Sequence, residues 1–278
     1  MKIICVGDNV VDYYLDQQNY YPGGNAVNVA VNCKRYGAEK SSYIGVFGDD
    51  EPAEHIKKCL KDEDVDFSYS RKVYASTGMP QVSHTEDGDR VFLGGPKDTA
   101  QHIFRLRLTQ NDFDYISTFD VCHTSFYSNI EPDLEKISQI CNVSFDFSDD
   151  FTLEYVKSVA HLVKFAFFSG SERTEEEINE LIDVVNSLGV KVIGITLGSE
   201  GALFIRKNKR YLQPVKSTQV IDTMGAGDGF IAGFLVSYIT DENMEKALDF
   251  AADCAAKSCS YNGGLGYPHV FGGIYDNK

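Results

Sequence analysis

The stretch Ile221-Asp222-Thr223-Met224-Gly225-Ala226-Gly227-Asp228-Gly229-Phe230-Ile231-Ala232-Gly233-Phe234 joins small residues, carboxylates and the start of a periodic apolar run. Apolar side chains recur as Phe230, Ile231, Phe234, Leu235, Tyr238 and Ile239, a spacing that predicts a helix with one buried face, beginning near Gly227. Ahead of that helix, Gly225, Ala226 and Gly227 let backbone N–H groups approach a ligand closely. Unpaired amides at the positive end of a helix dipole favour an anion there, and phosphate is the natural guest. Asp228 falls in the first turn, where a carboxylate either complements the dipole or accepts the proton of a hydroxyl that attacks a phosphate. Short Gly-rich motifs match by chance, so the local pattern leaves both readings open.

Outward from this stretch, the whole chain has 278 residues, room for one α/β domain with a large core. Its 43% hydrophobic and 12% aromatic content is that of a globular protein. A formal charge of -15 argues against nucleic acid or an anionic membrane surface as a partner. The cysteines (Cys5, Cys33, Cys59, Cys122, Cys141, Cys254, Cys259) form no C-x-x-C pair, which indicates buried thiols and neither a disulfide framework nor a zinc cluster. Met1–Gly7 reads as a strand entered at once, not as a signal peptide, and no apolar run reaches the ~18 residues of a membrane span. A cytoplasmic protein is expected.

In chain order, Ile3–Val6 reads as a buried strand, Val10–Tyr14 as an extended continuation, and Asn25–Cys33 as a tightly packed helix after Pro22-Gly23-Gly24, stopped at Gly37. Ser42–Phe47 is a second strand, and a helix opens at Gly48–Pro52 and runs through Leu60. Tyr69–Ala75, Gln81–Thr85 and Arg90–Leu93 read as short strands, the last two joined across Glu86-Asp87-Gly88-Asp89. With residues 10–21 they predict a small β-sheet, over about 10–21 and 69–94, that serves as a lid or as a homodimer surface. Alternation resumes with strands at 121–124, 143–147, 163–168 and 190–196, helices at 131–140 and 174–188, a hairpin over 202–212 and a closing helix over 244–261. The pattern predicts an α/β fold, a mostly parallel central sheet with helices on both faces, in one domain over 1–278.

No Walker A motif occurs, and no dinucleotide fingerprint follows the first strand. Gly23-Gly24-Asn25-Ala26-Val27-Asn28-Val29-Ala30 with Gly37, and Asp222–Gly233, resemble the two signature motifs of the ribokinase-like (PfkB) carbohydrate kinases, and the likeness covers the full chain. It implies an enzyme using ATP and Mg²⁺ to phosphorylate a sugar hydroxyl, with Asp228 taking the hydroxyl proton and the amides of Gly225, Ala226 and Gly227 holding the transferred group. It further implies Asp12, Gly24, Asn25 and Asn28 as sugar contacts, and Thr196, Gly198 and Gly201, in Thr196-Leu197-Gly198-Ser199-Glu200-Gly201, as the nucleotide loop. Where the family shows N-x-x-E, this chain has Ser169-Gly170-Ser171-Glu172, so Glu172 matches as an organiser of hydrated magnesium or simply opens an acidic helix. Gly7–Asp12, Gly23–Tyr36, Asp89–Phe92 and Phe145–Asp149 resemble the fructoselysine 6-kinase branch, which adds Asp8, Asn9, Arg90 and Asp146 as substrate contacts. Each of these four residues also reads as a turn or rim residue. The scattered histidines, His123 among them, lack metal-ligand spacing and are expected on the surface or in packing. Fructose, ribose or a nucleoside as acceptor, and a non-catalytic sugar- or nucleotide-sensing role, are the alternatives.

Overall fold

Short apolar strands that alternate with amphipathic helices bury themselves by stacking helices on both faces of a sheet. The computed structural model describes residues 1–84 and 90–272, and that is the arrangement it has. The first half runs β1 (Lys2–Val6), β2 (Val10–Tyr14), β3 (Asn19–Gly23), α1 (Asn25–Arg35), β4 (Lys40–Ile44), β5 (Val46–Phe47), α2 (Glu51–Asp62), β6 (Arg71–Lys72), β7 (Gln81–His84), β8 (Arg90–Gly94), α3 (Ala100–Ile103) and α4 (Gln110–Ile116). The second half runs β9 (Val121–Ser125), α5 (Glu131–Ile140), β10 (Asn142–Asp146), α6 (Leu153–Val159), β11 (Phe165–Ser169), α7 (Glu175–Ser187), β12 (Val192–Thr196), β13 (Ala202–Arg206), β14 (Lys209–Gln213), α8 (Ala226–Asp241), α9 (Met244–Ser258) and β15 (His269–Val270).

The main sheet has eight strands in the order β14-β13-β12-β11-β10-β9-β1-β4. It is parallel from β4 to β12 and ends in the antiparallel pairs β12/β13 and β13/β14, the hairpin expected over 202–212. One face carries Cys5, Val121 and Phe165 against apolar residues of α1, α2, α8 and α9. The other carries Ile4, Cys122 and Val143 against α4, α5, α6 and α7.

α8 begins at Ala226, as the apolar period predicts, yet it is buried on more than one face: Gly229–Val236 and Tyr238 are all buried. It is sandwiched between the sheet and α9. A Cβ at Gly233 would come 2.7 Å from Cys254 Sγ, and one at Gly229 2.3 Å from Ser258 Oγ, so these glycines set how closely the two helices approach.

A separate five-stranded sheet has the order β15-β3-β2-β7-β8. It differs from the expectation in two places. The strand expected over 69–75 shrinks to Arg71–Lys72 and pairs with β5 in a ribbon of its own, while His269–Val270 joins β3. Pairing, not local propensity, decides such short strands. The turn expected over Glu86–Asp89 lies outside the described residues, as does the Arg90 side chain. One face of the small sheet is fastened down: Tyr14, Tyr21 and Val82 form a buried cluster with Met224 of the loop before α8. Among the described residues no helix is long and apolar enough to cross a membrane.

Candidate active site

In a parallel sheet the loops leaving the carboxyl ends of the strands meet at one edge of the molecule, where they build ligand sites. Gly7-Asp8 follows β1, Asp146 ends β10, Ser169 ends β11 and Thr196 ends β12; the N-termini of α1 and α8 arrive at the same edge.

Gly225 is the N-cap of α8 with φ +71°, left-handed backbone that suits glycine, and a Cβ there would lie 2.7 Å from Gly264 Cα. Asp222 shapes this loop, its Oδ1 accepting from Met224 N–H at 2.9 Å and its Oδ2 from Gly263 N–H at 2.8 Å and from the Tyr14 hydroxyl. The Ala226 N–H donates to Thr223 O at 3.2 Å, and a Cβ on exposed Gly227 would meet nothing within 4 Å, so the first turn of α8 faces open space. Asp228 in that turn is held from α1. Its Oδ1 accepts from Asn25 Nδ2 at 2.8 Å and its Oδ2 from Asn28 Nδ2 at 2.7 Å.

Asn25 bridges two carboxylates, because the same Nδ2 also donates to Asp146 Oδ2 at 2.8 Å. Burial, reinforced by the Asp228 and Asp8 charges, pushes the Asp146 carboxyl up to about 7, although the Ser148 N–H donates to its Oδ1 at 2.9 Å. Asn28 is 3% exposed, and its Oδ1 has no partner among the described residues. That leaves a buried acceptor beside the Asp228 carboxylate, a position suited to a ligand hydroxyl.

Other expected residues take different positions. Asp8 caps α1, its Oδ2 accepting from Asn25 N–H at 2.8 Å and its Oδ1 from Ala26 N–H at 3.3 Å, with Ser125 and Ser128 hydroxyls at 3.3 and 3.2 Å. Asn9 directs its amide to the Tyr43 hydroxyl and Val46 O, both at 2.9 Å, so its side chain braces the scaffold. Gly24 is the N-cap of α1, and Asp12 on β2 lies against Gly23. On the far side, Gly198 and Gly201 have φ +59° and +97°, and the Leu197 N–H donates to Gly201 O at 2.8 Å, closing a tight loop after Thr196. The loop carrying exposed Glu172 packs beside it, a Cβ on Gly198 falling 3.4 Å from Ser171 Cβ. The arrangement is open space at a helix start, a braced carboxylate and polar acceptor groups on one side, and a glycine-shaped loop on the other.

The model of the pfkB family carbohydrate kinases matches residues 2–268. The chain belongs to that family. It is 44% identical over 271 residues, 98% of this chain and 95% of the relative, to a protein named fructosamine kinase FrlD from Bacillus subtilis (strain 168). It is 32% identical over 267 residues, 95% of this chain and 99% of the relative, to a fructoselysine 6-kinase from Escherichia coli (strain K12). A ribokinase from Thermotoga maritima superposes with a TM-score of 0.79 at 18% identity, covering 98% of this chain and 97% of the other. An Arabidopsis thaliana ribokinase solved with ribose and ATP gives 0.79 at 20% identity, covering 95% of each chain. The fold is ribokinase-like, and the protein is an ATP-dependent sugar kinase, a phosphotransferase acting on a sugar hydroxyl.

Within this kinase, the sequence reading missed His123 and Ser144, which stand behind Asn25, and the Tyr14–Asp222 link between the small sheet and the α8 loop. A histidine inside the strand Val121–Ser125, buried throughout, is the signal that could have marked His123, since buried polar groups have partners. A small cavity lined by Asp8, Gln101, Arg105 and Tyr127 opens beside the acceptor end and was equally invisible in the sequence.

Proposed function

We propose that this kinase transfers the γ-phosphoryl group of ATP to the primary 6-hydroxyl of a fructosamine, with fructoselysine as its acceptor. Asp228 carries the reading of the reaction: a carboxylate at a helix start, fixed through both oxygens by the Asn25 and Asn28 amides, faces the gap where a phosphate binds. The substrate hydroxyl oxygen attacks the γ-phosphorus, the bond from that phosphorus to the β,γ-bridging oxygen breaks, ADP leaves, and the hydroxyl proton passes to Asp228. The amides of Gly225 and Gly227, with that of Ala226 once it exchanges Thr223 O for the ligand, hold the transferring group; donors of this kind are typically worth ~3–4 kcal/mol each in the transition state. Asn28 Oδ1 on α1 and Asp12 on β2 receive sugar hydroxyls, Asp8 holds the start of α1 and Asn9 braces the scaffold beside it.

Thr196, Gly198 and Gly201 form the nucleotide loop. Magnesium keeps several waters and takes one or two carboxylates together with substrate phosphates. Exposed Glu172 beside the Gly198 turn fits that pattern, and among the described residues no group of three His, Cys, Asp or Glu side chains forms a metal cage. Bound with ATP, the ion neutralises charge on the phosphate oxygens. The small sheet acts as a cover that excludes water from the acceptor and as a surface for a second copy of the chain, and Arg90 is a further substrate contact.

Fructoselysine is favoured over other acceptors by the names and coverage of the relatives at 44% and 32% identity. ADP release measured with ATP, Mg²⁺ and a panel of fructoselysine, fructose, ribose and a nucleoside tests the reading. The highest kcat/KM is expected for fructoselysine; a higher value for any other acceptor overturns it.

A further inference from the structure

His123 is 0% exposed, lies in the middle of β9, and touches none of the groups that meet the phosphate. Both its ring nitrogens are engaged: Nε2 lies 2.9 Å from Asn25 Oδ1, and Nδ1 lies 2.9 Å from Ser144 Oγ. The direction of every hydrogen bond in this row follows from one fact. Asp228, as the proton acceptor of the proposed reaction, is ionised and only accepts, so the Asn25 group facing it and Asp146 is the NH₂, and Oδ1 faces the histidine. His123 therefore carries its proton on Nε2, Nδ1 accepts, and the Ser144 hydroxyl donates. Burial pushes the imidazole down to about 3, so the ring remains neutral and the row keeps its direction throughout the range in which enzymes work.

The row is built by strand register. His123 and Ser144 are direct partners on the parallel strands β9 and β10, and Cys5 of β1 is the partner of His123 on its other side. Side chains of register partners point to the same face, here the face covered by α1.

We propose that His123, held by Ser144, is a positioning residue for phosphoryl transfer: it locks the Asn25 amide with its NH₂ toward Asp146 and Asp228. Without the Nε2–H donor, Asn25 Oδ1 loses its partner, and the cost of that unsatisfied acceptor draws the amide off its aim on Asp146 and Asp228. Asp228 is then held less firmly by one of the two amides that aim it, and both carboxyls become more basic, because a donor to the charged form has been weakened. Among the described residues, the charges that raise Asp146 further are Asp228 from α8, Asp8 from the loop after β1 and Asp149 from the following loop, and Tyr127 after β9 feels the Asp146 charge in turn.

The inference rests on the base role of Asp228 and not on the identity of the sugar, so the assay uses whichever sugar supports turnover; no turnover on any sugar would break the functional reading instead. In His123→Phe the ring volume is retained without a donor, and in His123→Gln an amide donor is retained. His123→Phe is expected to lower kcat roughly tenfold or more, to leave the ATP KM within about twofold, and to move the acid limb of the kcat–pH profile upward. His123→Gln is expected to restore most of kcat and the position of that limb. Equal losses in the two variants, tracking their melting temperatures, would make His123 a packing residue only. Nitrogen NMR of the wild-type imidazole decides the matter where the Phe variant fails to fold: Nε2 protonated and Nδ1 bare from pH 5 to 8 is expected, and the opposite tautomer, or a doubly protonated ring, overturns the proposal.

Discussion

The proposed acceptor side and the proposed nucleotide side of this kinase are built from different materials. Around Asp228, side chains do the work: Asn25, Asn28, Asp146, His123 and Ser144 form one directed set of hydrogen bonds, anchored in strands and in the first turns of α1 and α8. Around Thr196–Gly201 the backbone does it, through left-handed glycines and an exposed loop bearing Glu172. A site that moves a proton needs its carboxylate aimed before substrate arrives, and buried amides provide that. A site that holds phosphates and water-coordinated metal needs close backbone approach and solvent access. Substitutions on the acceptor side are therefore expected to change kcat, and those on the nucleotide side to change KM.

The largest effect that follows from this contrast is at Asp228. Asp228→Asn is expected to reduce kcat by roughly 10²-fold or more while both KM values stay within about threefold, as steady-state kinetics would read. Full turnover in that variant would put the base elsewhere and dissolve the distinction between the two sides. Gly201→Ala comes next on the nucleotide side, because a Cβ would fall 2.1 Å from Gln213 O on backbone at φ +97°. The ATP KM is expected to rise about tenfold with a loss of ~1–3 kcal/mol of stability; a sugar KM that rises as much would show that the loop serves both substrates.

A third, smaller effect is in pH dependence. The Asp146 carboxyl is raised from 3.8 to about 7, so between these values the folded chain holds a proton that the unfolded chain has released, and stability falls as pH rises through that window. Asp146→Asn is expected to flatten this decline, so that the variant gains on the wild type from pH 5 to pH 8 in denaturant melts. Parallel curves would mean that Asp146 is an ordinary carboxylate. The smallest change is expected for exposed Glu172. Glu172→Gln should raise the magnesium concentration for half-maximal rate a few-fold, with kcat at saturating magnesium almost unchanged; a large fall in kcat would make the loop part of the reacting centre.

The two helix starts of the proposed acceptor side were legible because their signals are local. Gly23-Gly24-Asn25 and Gly225–Asp228 each announce a helix start with small residues and a polar group, and those helices begin at Asn25 and Ala226. Arg71–Lys72, β15 and the burial of α8 were not legible, since pairing partners and covering layers are set by contacts distant in the chain. His123 was read as one of several scattered histidines because its partners, Asn25 and Ser144, are 98 and 21 residues away.

By itself, the sequence determined the alternation of strands and helices, the two helix starts and the residue types placed in them, because periodicity, glycine and capping act over a few neighbouring residues. The tertiary structure decided which of those residues face one another. Parallel pairing of β9 with β10 puts Ser144 beside His123, packing of α1 on that face brings Asn25 to the imidazole, and the arrival of α8 places Asp228 under the same amide. A hydrogen bond's direction depends on both partners, so the orientation of the carboxylate in Gly225-Ala226-Gly227-Asp228 is a property of four elements of the fold and of no single stretch of the chain.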